Sequence, residues 1–239
     1  MVKPCLLGVP LQHSSDPPMV NRPPLSRERV VEAAAQGADR DGLAAVSTRN
    51  VGKQLGVEAM SLCHHVASRD DLLDGLADWV FTLIHLPAPG EPWRAAMRAR
   101  ALSLRRVLSE RAWALTLTAS RRVSGAAVLR HHDAVLGCLR ADGFSVALAA
   151  HAFSAIDAYV YGLVLTELKL PFGPAEGADT LTAELNLSAQ DYPHLAELLA
   201  ELVTGRSYRY ADEFENGLIL IFDGLARRVG SPPGRRNRT

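Results

Sequence analysis

The chain has 239 residues, 48% of them apolar and 22% charged, and its 26 basic and 26 acidic side chains cancel. That is a globular composition rather than a disordered one. No run reaches the roughly 18–20 uninterrupted apolar residues of a membrane helix, and neutrality gives no support for a nonspecific polyanion binder.

The zero hides a pattern: −3 over residues 25–85, +8 over 94–140 and −10 over 141–226. The opposed second and third blocks are expected to pair across the surface of one bundle or dimer. Residues 1–24 hold six prolines and read as a disordered arm, with Met19 an alternative start just before the first periodic segment. The three cysteines, Cys5, Cys63 and Cys138, are odd in number, widely spaced and without a C-x-x-C. A disulfide framework or cysteine zinc site is therefore not expected, and a reducing cytoplasm is the simplest setting.

From residue 25 onward the chain reads as all-α. Ser26 is an N-cap before Arg27-Glu28-Arg29, and Val30, Ala34 and Ala38 form one stripe until Asp41-Gly42 stops the helix. Ser47 caps a short second helix that buries Val51 and Leu55, Gly56 marks a tight turn, and a third helix covers Glu58 to about His65. Ser68 caps a fourth, from Arg69 to about His85. Pro87, Pro89, Gly90 and Pro92 then break the chain and set the expected boundary between residues 25–86 and 91–229. The second part is read as helices near 92–109, 111–120, 124–142, 145–169, 190–204 and 208–229, with a loop over 171–189 and a basic disordered tail over 230–239.

Two short helices joined by a glycine turn are a helix-turn-helix signature, whose second helix can enter the major groove. At 100° per residue, Leu62 and Val66 share the core face of that helix, so Met60 and His64 point outward, beside Ser61 and Cys63. The whole stretch, from Ser47-Thr48-Arg49 through Leu55-Gly56-Val57, Leu62-x-x-His65-Val66 and Ser68-Arg69-Asp70-Asp71-Leu72-Leu73, resembles the tetracycline-repressor (TetR) family of transcription regulators. Asp142-Gly143-Phe144-Ser145 and the Gly217-Leu218 segment resemble it more weakly.

The resemblance implies a sequence-specific regulator that binds a palindromic double-stranded operator as a homodimer, through helices near 145–169 and 208–229, and leaves it when a small effector binds. It places Thr48 and Arg49 against phosphates and a guanine, and Ala59, Met60, Ser61, Cys63 and His64 on the recognition helix. His65 matches a phosphate contact, and Arg69 matches a position that is usually Lys and meets phosphate. Cys63 stands where the family usually has a Tyr, which removes a phenolic anchor on the DNA.

Of the four residues that hold magnesium-tetracycline in the tetracycline repressor, His85 falls where the first His belongs, while the others read Arg100, Leu117 and Thr166. Magnesium-tetracycline is therefore not the expected effector, and no cofactor is expected. Leu104, Trp113, Phe153 and Tyr159 are read as lining an apolar pocket and Arg100 as meeting an acidic ligand group, each against the alternative of bundle core.

His64-His65 lacks a third metal ligand nearby, and His131-His132-Asp133 is read as a solvated face, because adjacent helical positions point apart. The acidic balance of residues 25–85 and the Cys63 departure motivate a second reading, a helical ligand- or partner-binding protein with a degenerate reading head. No nucleophile–base constellation supports an enzyme.

Overall fold

The structure, a computed structural model, describes residues 23–120, 125–170, 187–205 and 208–229. The proline-rich arm through residue 22 (Met19 included), most of the expected 171–189 loop and the tail from residue 230 lie outside the described residues. Among those described there is no strand.

The first four helices form a compact head, and their ends follow local chemistry. In α1 (Arg27–Asp41), Ser26 Oγ accepts the Arg29 N–H, and Gly42 N–H closes on Ala38 O. Ser47 and Ser68 cap α2 (Thr48–Leu55) and α4 (Arg69–Thr82) in the same way, accepting from Asn50 and Asp71 N–H. Each such cap satisfies one of the helix's orphan donors, at about 1 kcal/mol.

Gly56 ends α2 in the left-handed conformation, φ 67° and ψ 37°. Gly52 allows α2 and α3 (Ala59–Leu62) to cross closely, because a Cβ there would stand 2.9 Å from Val57 O. The third helix is shorter than the expected run to His65. After Leu62 the backbone tightens, with Cys63 N–H bonding Met60 O and His65 N–H bonding Leu62 O.

The body comprises α5 (Trp93–Glu110), α6 (Ala112–Ser120), α7 (Ala126–Ala141), α8 (Val146–Glu167), α9 (Pro193–Leu198) and α10 (Glu213–Ala226). Pro193 sits in the first turn of α9, where its fixed φ suits helix entry, so the helix expected from 190 starts later. A five-residue π turn, Leu199–Val203, follows it. Ahead of α10, Tyr210–Asp212 is a 3-10 turn, not the start of the α-helix expected from 208.

Two apolar cores result, and α4 and α6 serve both. Leu72, Leu73, Leu76 and Ala77 of α4 pack with Val30, Ala34, Val51, Leu62 and Val66 in the head. Val80 and Ile84, farther along the same chain, belong to the body core with Leu104, Leu108, Ile156, Val160 and Phe214. The packing thus divides between Ala77 and Val80, ahead of the proline break. In α6, Ala114 and Leu115 lie in the body core while Leu117 is buried among the head residues.

The charge blocks meet as expected. Arg94 pairs with Asp223, Arg98 with Glu215, Arg100 with Asp157 and Arg105 with Glu167. α8 has the length and mean hydropathy of a spanning helix, yet its Asp157 and Glu167 pair with arginines of α5 inside the bundle.

Candidate nucleic-acid interface and ligand cavity

The outer face of the head gathers the residues expected there. Arg49, in the first turn of α2, is exposed, and so are Ser61, Cys63 and His64 along α3 and the turn after it. Met60 is the most exposed large apolar side chain described, at 78%. Thr48, Ala59 and His65 are half-buried at the margins of this face. Leu62 and Val66 point inward, at 0% and 1% exposure, so their burial fixes the orientation of the others. Cys63 Sγ leans on Ala59 O at 3.9 Å.

Arg69, expected at a phosphate, also has a part in the fold. Its Nε donates to Val46 O and one Nη to Leu43 O, both at 3.0 Å, so it braces the turn ahead of α2 from the N-terminus of α4. Leu43 O also accepts Val46 N–H, and the two bonds engage two of the five guanidinium donors in the fold.

Arg27 went unnoticed in the sequence. Its Nη1 donates to His65 O at 2.9 Å, capping the turn that ends the third helix, and its Nη2 lies 2.6 Å from Asp71 Oδ1. Asp71 Oδ2 in turn accepts Ala67 N–H at 2.9 Å. The Arg27 guanidinium, with that backbone donor, holds the Asp71 carboxyl below its usual range. One ion pair between α1 and α4 therefore clamps the chain leaving the outward-facing helix. Its only sequence signal was an Arg in a first helical turn, which reads as a solvated residue.

The body holds a cavity of about 600 Å³, open to the surface, between α4, α6, α7 and α8. Phe81 comes from α4, Leu115, Thr116 and Thr118 from α6, and Val128 and His132 from α7. From α8 come Asp157, Tyr161, Gly162 and Leu165.

None of the seven expected pocket residues lines it. Leu104 and Leu117 are core side chains, 1% and 3% exposed, in the body and the head respectively. Trp113 turns toward α1, where its Nε1 donates to Asp39. Tyr159 bonds Glu213 O at 2.8 Å, with Phe214 O at 3.1 Å, and so ties α8 to α10. His85 faces Glu91 at 3.2 Å. Arg100 and Phe153 stand one layer behind the wall: Arg100 pairs with Asp157 and lies over the Phe153 ring, and Phe153 packs edge-on against His132.

The histidine pair on α7 is also corrected. His131 is buried at 1% exposure, against the expected solvated face, with neither ring nitrogen hydrogen-bonded. Phe81 packs against it on one side. Burial, with help from the nearby Arg100 charge, pushes its pKa down to about 4. Burial also lowers that of His132, so both imidazoles are neutral at pH 7.

Residues 86–229 match the family model described as the C-terminal domain of tetracyclin-repressor-like proteins. An HTH-type transcriptional regulator of Saccharopolyspora erythraea is 36% identical over 177 residues, 73% of this chain and 75% of that protein. The chain belongs to the tetracycline-repressor family. It is a helix-turn-helix regulator of transcription that binds DNA.

Two further likenesses run nearly end to end in this family. The HTH-type transcriptional repressor DrrR1 of Streptomyces coeruleorubidus is 33% identical over 224 residues, covering 89% of this chain and 82% of its own. The crystal structure of the Streptomyces coelicolor TetR family protein ActR with actinorhodin superposes with a TM-score of 0.71 at 28% identity, covering 87% of this chain and all of that one.

Proposed function

We propose that the chain is a repressor which binds a palindromic operator as a homodimer and is released when a small molecule enters the cavity between α4, α6, α7 and α8. The observation that carries this reading is the double allegiance of α6. Leu115, Thr116 and Thr118 line the cavity, while Leu117 is buried in the head among Val30, Leu72 and Leu76. A ligand that shifts α6 must disturb the packing that orients α2 and α3. It acts only through its different affinity for the two arrangements.

The dimer is proposed from unpartnered apolar surface. Ile219 and Leu220 on α10 are 53% and 74% exposed, and Val146 on α8 is exposed with them. Pairing these helices across a two-fold axis makes a four-helix bundle and sets two reading helices roughly 34 Å apart, one turn of DNA. On the DNA we assign Arg49 to a guanine, Thr48 and His65 to phosphates, and Ala59, Met60, Ser61, Cys63 and His64 to the groove. Such a regulator works in the cytoplasm and needs no catalytic centre. That ActR is seen with actinorhodin supports a small-molecule effector here too.

The test is selection of DNA from a random pool by the purified full-length protein. It is followed by titration of the recovered sequence in the presence of candidate ligands. A palindromic consensus whose binding weakens with a ligand supports the reading. Failure to recover any consensus overturns it in favour of a ligand-binding protein with a degenerate head.

A further inference from the structure

The chemistry of the cavity wall narrows what can fill it. Among the described residues that line it, Asp157 alone carries a formal charge. It faces Arg100, a side chain 1% exposed that stands behind the wall rather than in it. The two approach to 2.6 Å but out of line. Arg100 Nη1 and Nε and Asp157 Oδ1 are all buried without an aligned hydrogen bond. Arg100 is therefore held by Asp157 and shut off from a ligand, whereas Asp157 keeps 21% of its side chain accessible on the cavity side.

The neighbouring polar groups bring no second charge. Thr118 O–H donates to Ala114 O at 2.8 Å. Tyr161 pairs with the same hydroxyl, and its phenol can donate or accept. His132 is uncharged, for the reason given above. Thr116 adds one more hydroxyl, and the rest of the wall is apolar: Phe81, Leu115, Val128 and Leu165, with nothing standing where a Gly162 Cβ would project. A volume of about 600 Å³ is in the range, roughly 300–1,000 Å³, of sites that enclose a drug-sized molecule.

We propose that the cavity selects planar aromatic molecules that present a hydrogen-bond donor, best an ammonium, to Asp157, and rejects those with a carboxylate in that place. This rests on the reading of the cavity as the effector site and deepens it. A carboxylate brought beside Asp157 meets like charge without reaching Arg100. An ammonium gains a charge-assisted bond to the open carboxylate oxygen. The expectation that Arg100 greets an acidic group is thereby reversed: the arginine is occupied, and its partner does the selecting.

Three anthraquinones identical except for one substituent, aminomethyl, hydroxymethyl or carboxylate, test this by calorimetric titration into the full-length dimer without DNA. The expected order is aminomethyl, then hydroxymethyl, then carboxylate, with at least about tenfold in Kd between the ends of the series. The preference should vanish in the double variant Arg100→Met, Asp157→Asn, which removes both buried charges and leaves neither unpaired. Equal binding of all three, tightest binding of the carboxylate, or binding of none overturns the proposal, as does a preference that survives in the double variant.

The effector reading is judged separately, by whether the bound amine lowers affinity for the selected operator. Tight, charge-selective binding with no effect on DNA would sink that reading and leave the ligand class standing.

Discussion

Trp113 of α6 donates its indole N–H to Asp39 of α1 at 2.8 Å, and Arg111 brings its Nε to 3.4 Å from the same carboxylate. These contacts pin the cavity-lining helix to the first helix of the head from outside, while Leu117 does so from within. Trp113→Phe keeps the ring and deletes the donor. Operator affinity without ligand is expected to change little. The ligand-induced loss of affinity should shrink by about 0.5–2 kcal/mol, the scale on which single residues modulate coupling. The check is the ratio of operator Kd values with and without a releasing ligand, and an unchanged ratio refutes the role.

Arg27 makes a second expectation sharp. It joins His65 O to Asp71 across a half-buried site, its side chain 43% exposed, so solvent screening limits what the pair contributes. Arg27→Met should cost about 1 kcal/mol in urea unfolding. Its effect on DNA should be disproportionate, because the freed His65 turn no longer sets the third helix. Operator binding that falls only as far as the folded fraction falls would make Arg27 a stability residue and nothing more.

Met60 is read as a thymine-methyl contact, since a thioether standing 78% exposed on a reading helix has no use for water. Replacing the facing thymine of the selected operator by deoxyuridine removes one methyl. Burial of such a group is worth about 0.8 kcal/mol, close to fourfold in Kd. The loss should appear in the wild type and disappear in Met60→Ala, a substitution the head tolerates because the side chain packs on nothing. If no thymine in the half-site shows the effect, the contact does not exist.

His131 supplies a pH dependence with a definite sign. Its pKa is depressed to about 4 in the folded chain from an ordinary 6.5, so the unfolded chain binds the extra proton first. The stabilisation is complete above about pH 6.5 and is lost as pH falls toward 4, by about 3 kcal/mol at most. The Arg100 charge opposes protonation, as do the His132 and His85 imidazoles once protonated, while the His85 backbone favours it. His131→Leu should flatten the drop in urea midpoint between pH 7 and pH 5. An equally steep drop in the variant would place the acid sensitivity elsewhere.

What the sequence disclosed depended on distance along the chain. Ser26, Ser47, Ser68 and Gly56 act within four residues of themselves, so the head could be read directly. Met60 and His64 were placed outside by the inward pull of Leu62 and Val66, each within six residues of them. The cavity is another matter. α8 is apolar on most sides, so periodicity did not say which side faces a bundle and which a void. Asp157 meets Arg100 from 57 positions away, and nothing local marks the pair. His131 looked solvated because polar neighbours surround it in sequence; in space Phe81 and the α5 arginine do. The opposed charge blocks were legible because many residues carry them, and no single register had to be known.

The burial of Leu117 among head residues has a practical corollary. A fragment ending at the Pro87–Pro92 break would leave an open socket between Val30 and Leu76, and a body fragment beginning there would display a stray leucine to water. The seam of this protein runs through α6, not through its linker. Exchange of heads between relatives, by recombination or in the laboratory, should therefore succeed only when the donor head travels with a matching sixth helix.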